Sequence, residues 1–272
     1  MPTVKSNQIE IAYEIHGEGP PLLLIAGIGY GGWFWHKIVP GLAKHFGVIT
    51  FDNRGAGGSS KPPGPYTIPQ MAADTIGLLE ALEIPKTHVF GHSLGGFVAQ
   101  ELAVTRPDLV DRLILGSTTH GGMQVVPITP EALDVLTRRE GDPMDLIRRG
   151  IRVALHPSFP AAHPDVVQEL IDYRLTNPVP PAQFQAQVMA GAGMSALTEE
   201  QVAERMAALQ MPVLVLTGDD DRVVPAGNAD LLVAKLPNAR LQVIPQTGHL
   251  FPIEKPEATV RAVLDFLLEA AT

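Results

Sequence analysis

The stretch HVFGHSLGGFVA, residues 88–99, decides the fold. Its first residues, His88–Phe90, are typical of a buried strand, and a helical pattern follows from Phe97 to Val104. Between them, Gly91-His92-Ser93-Leu94-Gly95 matches the Gly-x-Ser-x-Gly pattern of a serine on a sharp strand-to-helix turn. Larger side chains would collide on such a turn, so glycine is needed on both sides of the serine. The stretch therefore predicts a nucleophile, Ser93, in preference to a glycine-rich packing turn.

Strand patterns and helical patterns alternate on both sides of this motif. Continuous apolar runs, such as Leu22–Ala26 and Val213–Leu216, are typical of strands buried on both faces of a sheet. Further predicted strands are Ile9–Ile15, Val48–Phe51, Leu113–Leu115 and Leu241–Ile244, and predicted helices are Ile68–Leu82 and the segment after Pro256. This alternation predicts an α/β fold with a doubly wound, mostly parallel sheet.

The strand pattern stops after Thr119 and resumes at Met211. Helices are expected instead, with starts at Thr129-Pro130, Asp142-Pro143 and His163-Pro164 and a capping box of Thr198 with Gln201. Because the sheet pattern resumes afterwards, this part of the chain is expected to be an insertion and not an independent domain. The predicted division is a core of residues 1–119 and 211–272 and a helical insertion of residues 120–210.

A serine nucleophile needs a base, and the base needs an acid that orients it. In folds that place a serine on such a strand-to-helix turn, the acid and then the histidine follow the serine along the chain. His249 follows the last predicted strand, and it is the only histidine after residue 163. Three aspartates, Asp219, Asp220 and Asp221, follow the strand Val213–Leu216, and spacing alone does not choose among them.

Taken together, these motifs resemble the α/β-hydrolase superfamily, in its branch of small esterases, enol-lactonases and carbon–carbon bond hydrolases. Asp52–Ser59 (DNRGAGGS) matches the family's Asp-x-Arg-Gly-x-Gly-x-Ser loop, and Gly248-His249 matches its Gly-His before the final helix. Gly218–Pro225 (GDDDRVVP) is similar to the family's Gly-x-x-Asp-x-x-x-Pro segment, whose fourth residue is the catalytic acid. The resemblance covers nearly all of the chain except the insertion. It implies the α/β-hydrolase fold with a helical cap, and it selects Asp221.

The chain departs from the family at Ala26-Gly27, where relatives usually carry His-Gly. That histidine is generally a support and not a reactant. The resemblance implies that the next residue, Ile28, donates its backbone N–H to the oxyanion, with the N–H of Leu94 as the second donor. Gly27 permits the close approach of backbone to ligand that an oxyanion hole requires.

Three residues are candidates for the substrate pocket: Gly27, Trp33 and His120. Trp33 follows the oxyanion loop, and it is expected either to line the pocket or to pack in the core. His120 lies just past a predicted strand end, where it either borders the site or remains apart from it. The helical insertion is expected to cover the site as a cap and to shape the acyl pocket.

We therefore expect acyl transfer to water through an acyl-enzyme on Ser93, with a carboxylic ester or lactone as the small-molecule substrate. Relatives with dehalogenase or epoxide hydrolase chemistry place an aspartate at this position, which argues against those reactions. The alternatives are a carbon–carbon bond hydrolase, a perhydrolase or cofactor-free haloperoxidase, or a ligand receptor that retains the hydrolase fold. The mechanism requires no metal or organic cofactor.

Composition narrows the expected partners. The formal net charge of -9 disfavours nucleic acid and anionic lipid surfaces, which are themselves negatively charged. The chain has no cysteine, which excludes disulfides and thiolate metal sites. Residues 1–10 lack the apolar region of a signal peptide, and apolar runs such as Pro21–Ile28 are too short to span a membrane. A cytoplasmic location is expected, and no pattern predicts the oligomeric state.

Overall fold

Eight strands form one central sheet in the computed structural model, which describes residues 1–138 and 140–269. The strands are β1 (Thr3–Ser6), β2 (Ile9–His16), β3 (Pro21–Ile25), β4 (Gly47–Phe51), β5 (Thr87–His92), β6 (Val110–Gly116), β7 (Val213–Gly218) and β8 (Ala239–Ile244). Their order across the sheet is β1-β2-β4-β3-β5-β6-β7-β8. β2 pairs antiparallel with β1 and β4, and the remaining pairs are parallel. The predicted mostly parallel sheet is confirmed.

Twelve α-helices accompany the sheet in the described residues. They are α1 (Val39–Leu42), α2 (Ile68–Ala81), α3 (Leu94–Thr105), α4 (Pro130–Thr137), α5 (Pro143–Ala154), α6 (Phe159–Ala162), α7 (Pro164–Thr176), α8 (Pro181–Gly193), α9 (Glu199–Ala208), α10 (Gly227–Lys235), α11 (Phe251–Glu254) and α12 (Pro256–Leu267). Short 3-10 turns lie at Gly32–Trp35, Pro107–Leu109 and Met194–Ala196. No described helix has the length and apolar character needed to cross a membrane.

Both faces of the central strands of the sheet are buried, as their continuous apolar runs predict. Side chains along a strand alternate between faces, so Leu22 and Leu24 of β3 enter one core cluster while Leu23 enters the other. Helices α2, α3 and α10 cover the Leu23 face, and α1 and α12 cover the opposite face. Each fully buried leucine contributes about 1.5–3 kcal/mol relative to an exposed one. The doubly wound arrangement follows from this two-sided burial.

Helices α4 to α9 all lie between β6 and β7; residues 120–210 are called the helical segment below. Thr129 and Asp142 cap α4 and α5 through their side chains, and Thr198 forms a capping box with Gln201 at α9. The expected helix starts are therefore present. Helix α8 was not predicted, because it begins after Pro180, which offers no capping side chain. Within the predicted core and insertion, residues 139 and 270–272 lie outside the described residues.

Candidate active site

Ser93 lies where β5 ends and α3 begins, in a backbone conformation that L-residues rarely adopt. Its φ is 57° and its ψ is -121°, which costs about 1–3 kcal/mol for a residue other than glycine. A Cβ on Gly91 would collide with the carbonyl oxygen of Gly95, and one on Gly95 with that of Ile25. Both glycines of the motif are therefore needed for helix and strand to approach this closely. The Ser93 amide donates to the Gly116 carbonyl at 2.8 Å, which fixes the turn to β6.

Asp221 and His249 form a buried hydrogen-bonded pair. Asp221 Oδ2 accepts from His249 Nδ1 at 2.8 Å, and Asp221 Oδ1 accepts from the amides of Val223 and Val224 at 2.9 and 2.8 Å. Because Nδ1 carries the hydrogen in this bond, Nε2 of the neutral imidazole is free to accept a proton. Asp219 has a different role, since it accepts from the Thr247 amide at 3.1 Å.

Ser93 and His249 line one cavity, and Ser93 also lines a second. The first cavity is bounded by Gly27, Tyr30, Ser93, Leu146, Arg174 and His249 among others. The second cavity is bounded by Ser93, Leu94, Phe97, Thr118, Met189 and Asn228 among others. Ile28, Leu136 and Val223 contribute to both linings. The two spaces therefore meet at the serine, between the carboxyl end of the sheet and the helical segment.

Two backbone amides flank Ser93 without a protein acceptor. Leu94 is the first residue of α3, where an amide has no partner within the helix. Ile28 lies in the loop after β3, and among the described residues no protein oxygen accepts from its amide or from that of Leu94. A Cβ on Gly27 would lie 3.0 Å from Ser93 Cβ and 3.4 Å from its Oγ, so this loop lies close against the serine side chain.

A comparison of the sequence with profiles of protein families identifies the family. The sequence profile of the alpha/beta hydrolase fold matches residues 20–256, which is most of the chain. The chain belongs to the α/β-hydrolase family.

Three relatives of this α/β-hydrolase are a named enzyme and two enzymes with solved structures. A poly(3-hydroxyalkanoate) depolymerase from Ectopseudomonas oleovorans is 32% identical over 250 residues, covering 91% of this chain and 84% of the relative. The enol-lactonase from Burkholderia xenovorans LB400 is similar in structure, with a TM-score of 0.83, 27% identity and coverage of 98% of this chain and 100% of that one. A thermophilic esterase from Thermogutta terrifontis gives a TM-score of 0.82 at 30% identity and covers both chains completely.

Two of the predicted pocket residues of the hydrolase lie away from both cavities. Gly27 lines the first cavity, but Trp33 and His120 line neither cavity in the part of the chain that the structure describes. Trp33 stacks on Tyr173 of α7, with ring centroids 5.0 Å apart and planes at 2°, so it packs against the helical segment. His120 is completely buried, which lowers its pKa. Of the two alternatives left open for each residue, these contacts favour packing for Trp33 and a position apart from both cavities for His120.

His92 of the hydrolase was missed as a site residue, because the motif treats its position as variable. Its buried Nε2 donates to the backbone carbonyl of His249 at 2.8 Å, and the two rings lie 4.8 Å apart. Burial holds the pKa of His92 well below its ordinary value, so the ring is neutral. The residue before the serine thus connects the strand-to-helix turn of Ser93, called the elbow below, directly to the loop that carries His249.

Glu254 was also missed, although a carboxylate inside an apolar stretch close to His249 is a recognisable signal. It is buried at the end of α11. Its Oε1 accepts from the Gly248 amide and its Oε2 from the His156 amide, both at 2.8 Å. Burial raises the pKa of Glu254 to about 7. The side chain therefore joins the loop of His249 to the helical segment through one carboxyl group.

Proposed function

We propose that this protein hydrolyses a carboxylic ester or lactone through an acyl-enzyme on Ser93. The observation that carries the proposal is the Asp221–His249 hydrogen bond beside a cavity that both His249 and the strained Ser93 line. A serine hydroxyl becomes a useful nucleophile only when an oriented base stands ready to take its proton. This geometry supplies an oriented base whose free nitrogen is Nε2.

The reaction proceeds in two acyl transfers. His249 Nε2 takes the Ser93 Oγ proton as Oγ attacks the substrate carbonyl, and Asp221 stabilises the resulting imidazolium. The oxyanion accepts hydrogen bonds from the amides of Ile28 and Leu94, and each such donor is worth about 2.7–4 kcal/mol in comparable enzymes. The imidazolium then protonates the leaving alcohol. Water attacks the acyl-enzyme with His249 as base, which releases the acid and restores the serine.

The cavities support a small-molecule substrate with an apolar part on each side of its carbonyl. Because both spaces meet at Ser93, the acyl group fits one and the leaving group the other. Their shared lining from Leu136 belongs to the helical segment, which we propose acts as a cap over the site. The resemblance to an enol-lactonase and to an esterase supports an oxygen ester as the substrate.

Release of p-nitrophenol from acetate, butyrate and octanoate esters tests the proposal. The wild type should turn over at least one ester, and Ser93→Ala should lower kcat by about 10⁴–10⁶-fold. Thermal unfolding of both proteins checks that the substitution leaves the fold intact. Absence of turnover in a folded wild type would contradict the ester proposal, and carbon–carbon substrates or slow ligand binding would then be examined.

A further inference from the structure

Gly29, in the loop that carries Ile28, is held from both sides by the helical segment. Its amide donates to Gln187 Oε1 of α8 at 2.8 Å. Its carbonyl accepts from Arg174 Nη1 of α7 at 2.6 Å. Gly29 has a φ of 71°, and a Cβ there would lie only 2.8 Å from the ring of Phe184. The helical segment therefore rests directly on the backbone next to one proposed oxyanion donor.

Gln187 has a defined orientation. The side chain is completely buried, and its Nε2 donates to the Arg54 carbonyl at 3.0 Å while Oε1 faces the Gly29 amide. Rotating the amide would place N–H against N–H and oxygen against oxygen, so both bonds would be lost together. Buried polar groups left without partners are costly, which makes this side chain a rigid support.

Arg174 supports the same loop by a different contact. Its guanidinium carbon lies 3.9 Å from the centre of the Tyr30 ring, next to the Gly29 carbonyl that it binds. Arg174 takes part in none of the ion pairs formed among the described residues. Its Nη1 thus serves the loop, and the side chain also lines the first cavity.

The two ends of the loop are supported by different parts of the molecule. Asn53 of the core donates to the Ala26 carbonyl at 3.0 Å, before Ile28. Gln187 and Arg174 of the helical segment hold Gly29, after Ile28. Position 26 is an alanine, whose methyl group cannot hydrogen-bond to the loop. The orientation of the Ile28 amide thus depends on a contact supplied by each part.

We propose that Gln187 is a positioning residue that completes the oxyanion hole when the helical segment docks on the core. Arg174 assists from the other side of Gly29. This inference rests on the proposed serine-hydrolase function, because it assigns the purpose of the contact to the Ile28 donor. A cap that only excluded water would not need buried hydrogen bonds to the donor loop.

Three variants test the positioning role. Gln187→Met keeps the side-chain size but removes both hydrogen bonds, and it should lower kcat about 10- to 100-fold with little change in KM. Gln187→Glu, when protonated, offers a carbonyl to Gly29 and an O–H to Arg54, so its kcat should exceed that of the methionine variant. Gln183→Met is the matched control one turn earlier on α8, where Gln183 donates to the carbonyls of Lys61 and Pro62. Its kcat should stay within about twofold of wild type.

The outcomes separate this inference from the proposed function. Each variant is assayed with the best ester and with a fluorophosphonate that labels Ser93. A wild-type protein inert to both reagents rejects the serine-hydrolase function, and the positioning role falls with it. A reactive wild type with an equally reactive Gln187→Met rejects the positioning role alone. Equal losses in Gln187→Met and Gln183→Met, or a glutamate variant no better than the methionine one, also overturn it.

Discussion

The carboxyl end of the sheet and the helical segment are built by different kinds of contact. At the sheet, close contacts with glycine backbones hold Ser93. Two amides and the His249 ring hold Asp221, and both Asp221 and His249 are buried. In the helical segment, ion pairs such as Arg152–Glu131 are largely exposed, and such pairs contribute about 0–1 kcal/mol. The cavity lining from this segment is mainly apolar.

This contrast predicts which property of the protein a substitution should alter in each region. Side chains at the sheet end are positioned by steric contacts and buried hydrogen bonds, so a substitution there alters reactive geometry. Apolar side chains of the helical segment shape the cavities and are replaceable by others of similar volume. We therefore expect substitutions at the sheet end to change rate and substitutions of apolar side chains in the helical lining to change selectivity. Gln187, whose buried hydrogen bonds reach the loop at the sheet end, belongs with the first group.

After Ser93→Ala, the largest effect is expected at Asp221 of the sheet end. Asp221→Asn removes the charge that orients His249 and stabilises the imidazolium, so kcat should fall about 10⁴-fold. The assay is ester hydrolysis over a range of pH, with the folded state checked by circular dichroism. Asp220→Asn in the same loop is the control, and it should retain kcat within about twofold. Equal losses in the two variants would show that Asp221 has no special role.

An intermediate effect is expected at Glu254, where the two regions join. Burial raises its pKa to about 7 from 4.5, so the unfolded chain loses its proton at lower pH than the folded protein. The free energy of unfolding should therefore fall by about 3 kcal/mol as pH rises from about 4.5 to 7. Glu254→Gln cannot ionise, so its free energy of unfolding should not fall over this pH range. The variant also loses one of the two oxygens that accept hydrogen bonds from backbone amides.

Urea unfolding of wild type and Glu254→Gln at about pH 5 and about pH 8 measures this linkage. The buried, neutral His92 has a lowered pKa and destabilises the protein as pH falls, but it is present in both proteins and cancels in their difference. Glu257→Gln, at an exposed carboxyl on α12, is the control. A stability difference that does not change with pH would contradict the assigned protonation of Glu254.

The smallest effect is expected at an apolar side chain of the helical segment that lines the cavities. Leu136 is half-buried and lines both cavities, so Leu136→Ala enlarges the space on each side of Ser93. The ratio of kcat/KM for octanoate and acetate esters should shift by about tenfold, with the rate on the better ester largely kept. Leu175→Ala, at a side chain on α7 that is 46% exposed, should leave the ratio unchanged. A large loss of kcat at Leu136 would remove the proposed division between the regions.

The sequence predicted the parts of this molecule that depend on local rules. The elbow of Ser93 needs two glycines, and the helix starts at Thr129 and Asp142 need capping side chains. Each of these features can therefore be recognised from a pattern of a few neighbouring residues. The choice of Asp221 among three aspartates required the family resemblance. Strand β1 and helix α8 were missed because one has no apolar run and the other no capping side chain.

Contacts between distant residues could not be predicted in this way. His92 meets the His249 carbonyl across 157 positions, and Gln187 meets Gly29 across 158. Neither pairing has a sequence signature, because each depends on how the helical segment and the last loop return to the sheet. The position of Trp33 could not be predicted for the same reason. It follows the donor loop in the sequence, but it stacks on Tyr173 and lines neither of the two cavities described above.

Because two unlike cavities meet at Ser93, the surroundings of the proposed nucleophile are asymmetric. A substrate or inhibitor with two different arms on its central atom has one preferred assignment of arms to spaces, and its mirror image must exchange them. A chiral phosphonate with one slender and one bulky arm would therefore inactivate the protein at different rates as its two enantiomers. Discrimination between enantiomers thus follows from the position of Ser93 between two different cavities, independently of any polar contact to the substrate.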